Sequence, residues 1–218
     1  MIITMQKASF DKFTSNFPSR NEAELLLQKG SIENPGPWVN HCKLTAKVAE
    51  TIAQKCGLDV DRAYVSGLLH DIGYSEFRDY KGRTCHIIIG SENMLAKGFD
   101  AIARICLSHS FPYKDIAAYG GKDTNWNNEE KESIMRFLSE TEFDNYDKLI
   151  QLCDVLAAAD GICLMEKRMV DVVRRHGFGE FTMQKWDATF NLKNYFDNLC
   201  GENIYNFFAS EIVSGILS

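Results

Sequence analysis

The chain has 218 residues, 45% of them hydrophobic, and a formal net charge of −6. That is enough apolar material to bury the core of one large domain or two small ones. The acidic balance excludes an extended nucleic acid as the main partner, because neutralising a phosphate backbone takes clustered Lys and Arg. No apolar run approaches the roughly 18 residues of a membrane span, and Met1 to Lys7 is too short and polar for a secretory signal; a cytoplasmic location is expected. Seven cysteines, scattered and without a C-x-x-C pair, are read as reduced, buried thiols, not as a zinc ribbon or a disulfide framework.

The punctuation is helical. Ser19 and Glu22 have capping-box spacing, and Gly30 follows Leu25-Leu26-Leu27, which predicts a first helix between them. Pro35-Gly36-Pro37 breaks the chain, with Pro37 in the first turn of a second helix that stops at Gly57. Asp59 caps a third helix ending near Gly73. Thr84 caps a fourth, running to about Gly98, although Cys85 to Ile89 has some strand character. Asp100 starts a fifth, ending before Pro112. Residues 113–128 read as a loop. Further helices are expected over 130–139, 145–159, 162–176, 183–199 and 202–216. Strand signals are otherwise almost absent, so the expected fold is all-α, a single helical domain over 1–218. Aromatics of the last third, among them Trp186, Phe190, Phe196 and Phe208, are read as core or as a homodimer interface.

Four of the five histidines, His41, His70, His86 and His109, fall at or inside helices. His70 is followed directly by Asp71 at the end of an apolar helix. Adjacent helix residues point about 100° apart, so both reach one point only near a helix end. Burying the pair is costly unless both have partners, and a metal ion is one such partner. Ala63, Ser66 and Gly67 are small and let other helices approach. Asp154 sits in a similar apolar run, with Ala157 and Ala158 beyond it. Each piece alone is common; the order His, His-Asp, His, His, Asp on successive helices is specific.

With Asn34-Pro35-Gly36-Pro37-Trp38-Val39-Asn40-His41, Val65-Ser66-Gly67-Leu68-Leu69-His70-Asp71-Ile72-Gly73 and Gln151-Leu152-Cys153-Asp154, the chain resembles the HD-domain superfamily, mostly metal-dependent phosphohydrolases with an all-helical core. The resemblance covers about residues 34–160, with a helix before it and packing helices after it. It implies a first metal held by His41, His70, Asp71 and Asp154. In the dinuclear branch Asp71 would bridge to a second, ligated by His86 and His109. Fe, Mn, Zn, Co and Ni all suit such mixed imidazole and carboxylate donors. One or two divalent ions, with two favoured, would activate a water on a phosphoryl group, making Asp71 the bridging catalytic ligand.

The implied partner is a small phosphorylated substrate, a nucleotide or another phosphoester. Two further readings stay open: a di-iron oxygenase of the same superfamily, and a non-catalytic nucleotide or metal sensor. Ser110-Phe111-Pro112 after His109, and Tyr74 after Gly73, depart from the cyclic-dinucleotide and guanosine-tetraphosphate branches. The branch that hydrolyses symmetrical dinucleoside polyphosphates is closer in ligand pattern, but the step of only fifteen residues from Asp71 to His86 argues against that substrate. Outside the ligand set, Lys81 and Arg83 are candidate phosphate contacts, and Lys114 is a weaker one. Tyr74 is a candidate pocket residue. Lys167 and Arg168 are read as surface, Asp160 as a turn residue, and His176 as a helix C-terminus.

Overall fold

The computed structural model describes residues 16–76, 85–120 and 126–217. Their regular structure is ten α-helices, short 3-10 turns and one minimal hairpin, so the all-α expectation holds. Thr84, Lys81 and Arg83 lie outside the described residues.

Helix α1 (Arg20–Glu33) opens with the capping box that its sequence specifies, Ser19 and Glu22 each accepting the other's backbone N–H. It does not stop at Gly30. A Cβ there would sit 2.7 Å from Ser75 Cβ and 3.2 Å from the Trp38 ring, so this glycine serves close packing. Helix α2 (Pro37–Cys56) ends at Gly57, whose φ of 71° is the left-handed C-terminal conformation.

Helix α3 (Val60–Leu69) is capped by Asp59 and ends at His70, short of the expected Gly73. A 3-10 turn, Ile72–Glu76, follows. Gly73 terminates nothing. A Cβ on it would lie 1.9 Å from the His86 carbonyl oxygen, so its bareness lets helix α4 (His86–Ala96) press against the turn. Ile87, Ile88 and Ile89, the strand-like stretch, are helical and buried there; burial overrides their β propensity. Helix α5 (Asp100–Ser108) packs on α4.

Helices α6 (Asn128–Glu140) and α7 (Asn145–Leu156) both begin with capping boxes. Instead of helix to residue 159, the chain then folds into a hairpin of β1 (Ala157–Ala158) and β2 (Gly161–Ile162), with Ala157 opposite Ile162. Asp160 is in its turn. Helices α8 (Met165–His176) and α9 (Thr182–Cys200) follow. The helix expected over 202–216 is divided into a 3-10 turn, Ile204–Phe208, and α10 (Ala209–Leu217).

Helix α2 is the central rod, packed by α3, α7 and α9. Its crossing with α3 is close because a Cβ on Gly67 would be 2.8 Å from Ala46 Cα. Ile52, Leu149, Ile150, Phe196 and Phe208 fill the core on the α7–α9 side; Phe196 and Phe208 are thus core. No helix among the described residues is long and apolar enough to cross a membrane.

The expectation of reduced thiols fails for one pair. Cys56 and Cys200 form a disulfide between the last residues of α2 and α9. Each precedes a left-handed glycine, Gly57 or Gly201, so two helix ends meet. They lie 144 residues apart, and no local spacing announces them. Disulfides persist mainly in oxidising compartments, so the bond sits uneasily with a cytoplasmic location. Cys42, Cys85, Cys106, Cys153 and Cys163 are buried and form no disulfide.

Candidate metal centre

Five elements bring the six residues together. His41 is in the second turn of α2, His70 caps the C-terminus of α3, and Asp71 follows it. His86 is the first residue of α4, His109 caps the C-terminus of α5, and Asp154 lies in the last turn of α7. Placement at helix ends frees each side chain from its own helix face. Two groups have ligand atoms close enough to hold an ion: His41, His70 and Asp71; and Asp71, His86 and His109. Asp154 joins the first, with Oδ1 3.0 Å from His41 Nε2 and 3.9 Å from His70 Nε2.

Asp71 divides its two oxygens between the groups. Oδ2 is 3.8 Å from His41 Nε2 and 3.6 Å from His70 Nε2. Oδ1 is 3.3 Å from both His86 Nε2 and His109 Nε2. All four imidazoles present Nε2 inward, and their other nitrogen is occupied outside. His41 Nδ1 is 2.8 Å from the Ala157 carbonyl, His70 Nδ1 2.8 Å from Gly67 O, and His109 Nδ1 3.2 Å from Ile105 O. A carbonyl only accepts, so in each pair Nδ1 carries the proton and Nε2 is left for the centre. His86 Nδ1 is 3.3 Å from the Tyr119 hydroxyl, and its ring stacks on Tyr74 at 4.3 Å. The hairpin therefore serves the centre, since turning the chain at Ala157 exposes the carbonyl that orients His41. Asn40 Nδ2 donates to Ala159 O beside it, at 2.5 Å.

These contacts fit a cation. His41 Nε2 and His70 Nε2 lie 3.2 Å apart. With both Nδ1 atoms protonated, two lone pairs would face each other unless one ring gains a proton or a positive ion lies between them. The charge state without metal follows this logic. Burial opposes a charge on His41 and on His109, but hydrogen bonds to Asp154 and Asp71 outweigh it and raise both pKa values. Burial dominates at His70 and pushes it down to about 4. Burial also works against Asp71 and Asp154. The histidines around Asp71, and His41 beside Asp154, overcome it and hold both carboxyls below their ordinary range. Protons supply the positive charge that an ion would replace.

A stripe on α7 fixes the geometry. Asp147, Gln151 and Asp154 are at i, i+4 and i+7, on one helix face. Asp147 is buried and chelated by Arg104, with Ser108 Oγ donating to it at 2.7 Å. Gln151 Nε2 donates to Ser108 O at 2.9 Å. These bonds pin the end of α5, and with it His109, to the helix that carries Asp154. Arg104, Asp147 and Gln151 are not among the candidates that the sequence suggests, although the helical spacing of Asp147 and Gln151 from Asp154 is a signal that could find two of them.

A cavity of about 610 Å³ opens from the centre. Trp38, Tyr74 and Tyr119 line one side. Arg168, Arg175 and His176 of α8, and Lys185 and Trp186 of α9, line another. This corrects the expectation of Arg168 as a surface residue, and Trp186 is not purely core. Lys167 does lie on the exterior, donating to Gly215 O at 3.3 Å. Lys114 is held by the Thr141 carbonyl and lies 4.3 Å from the centroid of the Phe143 ring.

The sequence model of the HD domain family matches residues 38–159, more than half of the chain. Over 67 residues the chain is 36% identical to Ribonuclease Y of Mycoplasma capricolum subsp. capricolum, a stretch covering 31% of this chain and 13% of that protein. The chain spans only about an eighth of that relative's length. No solved structure is significantly similar. The matched residues run from Trp38 through the hairpin turn and contain all six members of the centre. The chain belongs to the HD domain family, whose members are mostly metal-dependent phosphohydrolases.

Proposed function

We propose that the chain is a metal-dependent phosphohydrolase acting on a nucleotide or another small phosphoester, with two divalent ions bridged by Asp71. One observation carries the reading: Asp71 turns one oxygen to the His41, His70 and Asp154 group and the other to His86 and His109. A carboxylate shared in this way is what a pair of adjacent ions needs. When bound, such ions lower the pKa of a water and draw charge from a phosphoryl oxygen. The chain's own part is to hold four neutral imidazoles and two carboxylates around that point. The Tyr74 ring, stacked on His86, and the Tyr119 hydroxyl keep His86 turned inward.

The relative's name, a ribonuclease, supports phosphodiester chemistry. A net charge of −6 and a cavity of about 610 Å³ favour a small molecule over an RNA chain. The test is protein purified without chelators, analysed for metal, and assayed on phosphomonoesters, phosphodiesters and dinucleotides. We expect metal-dependent turnover that His70→Ala abolishes. If no metal supports turnover and His70→Ala changes nothing, the reading is wrong. Oxygen uptake with an iron pair, and no phosphate release, would move it to the di-iron oxygenase.

A further inference from the structure

Helices α8 and α9 lie beyond the family-matched residues 38–159, yet they build one wall of the cavity. On α8, Arg168, Val172 and Arg175 recur at i, i+4 and i+7 and all line it. Lys185 comes from the first turns of α9 and also lines it. Among the described residues, the acidic ones of the lining are Asp71 and Asp154. A single divalent ion at the centre already balances those two carboxylates, and a second leaves an excess of positive charge. Among the described residues, the three cations of the wall then have no further counter-charge within the cavity.

Their own bonding points the same way. Among the described residues, neither the Arg168 guanidinium nor the Lys185 ammonium makes a hydrogen bond or ion pair, although both residues are half-buried. Arg175 spends only Nε, on the Asp171 carbonyl at 3.2 Å. Other buried or half-buried cations do find carboxylates, as Arg104 finds Asp147, Lys193 finds Asp197 at 2.6 Å and Arg20 finds Glu50 at 2.5 Å. Burial pushes the Lys185 ammonium below its usual pKa, with only Asp154 opposing. Leaving Arg168 and Lys185 half-buried and unpaired is costly unless a ligand completes them; Arg175 is exposed at the rim.

We propose that Arg168, Lys185 and Arg175 form a subsite for a second anionic group of the substrate, so that the chain acts on phosphoesters bearing two separated anionic groups. The centre would take one phosphoryl group and the α8–α9 wall the other, with charge-assisted hydrogen bonds supplying the selection. This rests on the phosphohydrolase reading for the first anion alone.

The test is direct binding, by calorimetry, of α,ω-alkane bisphosphonates from propane to octane, each compared with the alkyl monophosphonate of the same length. Protein is used both metal-loaded and chelator-treated. In the metal-loaded wild type we expect one chain length to bind at least about tenfold tighter than its monophosphonate. Arg168→Gln and Lys185→Met should each erase most of that gain while monophosphonate binding shifts less than about twofold. Both substitutions leave no orphaned partner, so the fold should persist, checked by circular dichroism. Chelator-treated protein should retain weak, salt-sensitive bisphosphonate binding that the double variant loses. A flat series, a gain that survives both substitutions, or no binding by any member overturns the subsite. Bisphosphonate selectivity without turnover on any phosphoester would leave the subsite standing and remove the hydrolase; turnover with a flat series would do the reverse.

Discussion

The two halves of the metal centre are built differently. His41 and His70 are each oriented by a backbone carbonyl at 2.8 Å, on two helices whose crossing is closed by Gly67 against Ala46. His86 is oriented by a tyrosine hydroxyl at 3.3 Å and a stacked ring, at the start of a helix whose N-terminus has no side-chain cap. His109 has a carbonyl, but at 3.2 Å. Both carbonyls belong to buried backbone, Ala157 in the hairpin and Gly67 in α3, and move only if the core moves, whereas a tyrosine can rotate. The first half is set by backbone throughout, whereas in the second His86 rests on tyrosine side chains and His109 alone keeps a backbone partner.

The comparison can be broken at several points. Asp71→Asn touches both halves and should have the largest effect. We expect bound metal to fall to a trace and turnover to drop about a thousandfold, some 4 kcal/mol of barrier; full metal content by plasma emission would refute the shared role of Asp71. Gly73→Ala comes next. Its methyl group would overlap the His86 carbonyl, so α4 must shift. The second half should lose metal affinity by about a hundredfold, the upper range for a lost orienting contact, while the first stays loaded; equal loss from both would erase the distinction. Stepwise chelation of the wild type should remove the ions in two phases separated by about tenfold in chelator, a difference of ~1.4 kcal/mol; one cooperative phase would show the halves to be equivalent. Tyr119→Phe should be the mildest. The hydroxyl bond is long, so metal in the second half should weaken by about fivefold, below the usual 10–100-fold for such partners.

The readable and unreadable parts of the sequence divide along physical lines. The order of His41, His70-Asp71, His86, His109 and Asp154 could be read because each falls beside local punctuation: a proline start, a glycine, a cap. Gly30 and Gly73 misled for the same reason. A glycine required for left-handed φ, as at Gly57, looks identical in sequence to one required for close approach. The isoleucines of α4 carried β propensity that burial reversed. Arg168 and Lys185 could not be read, because what makes them unusual is the absence of a partner among the described residues, and that exists only once α8 and α9 are laid over the cavity. The Cys56–Cys200 bond was hidden by distance along the chain.

The small hairpin after α7 has a consequence for how such a protein can change. The family-matched stretch ends at residue 159, inside the turn between β1 and β2. On one side of that seam Ala157 steadies a histidine of the centre; on the other begin the helices that carry Arg168 and Lys185. The proposed reactivity and the proposed selectivity thus meet at a two-residue joint. On the proposed reading, a segment exchanged at Gly161 would bring a new wall to the centre, and it would also have to refill the core that Phe196 and Phe208 occupy against α2 and α7.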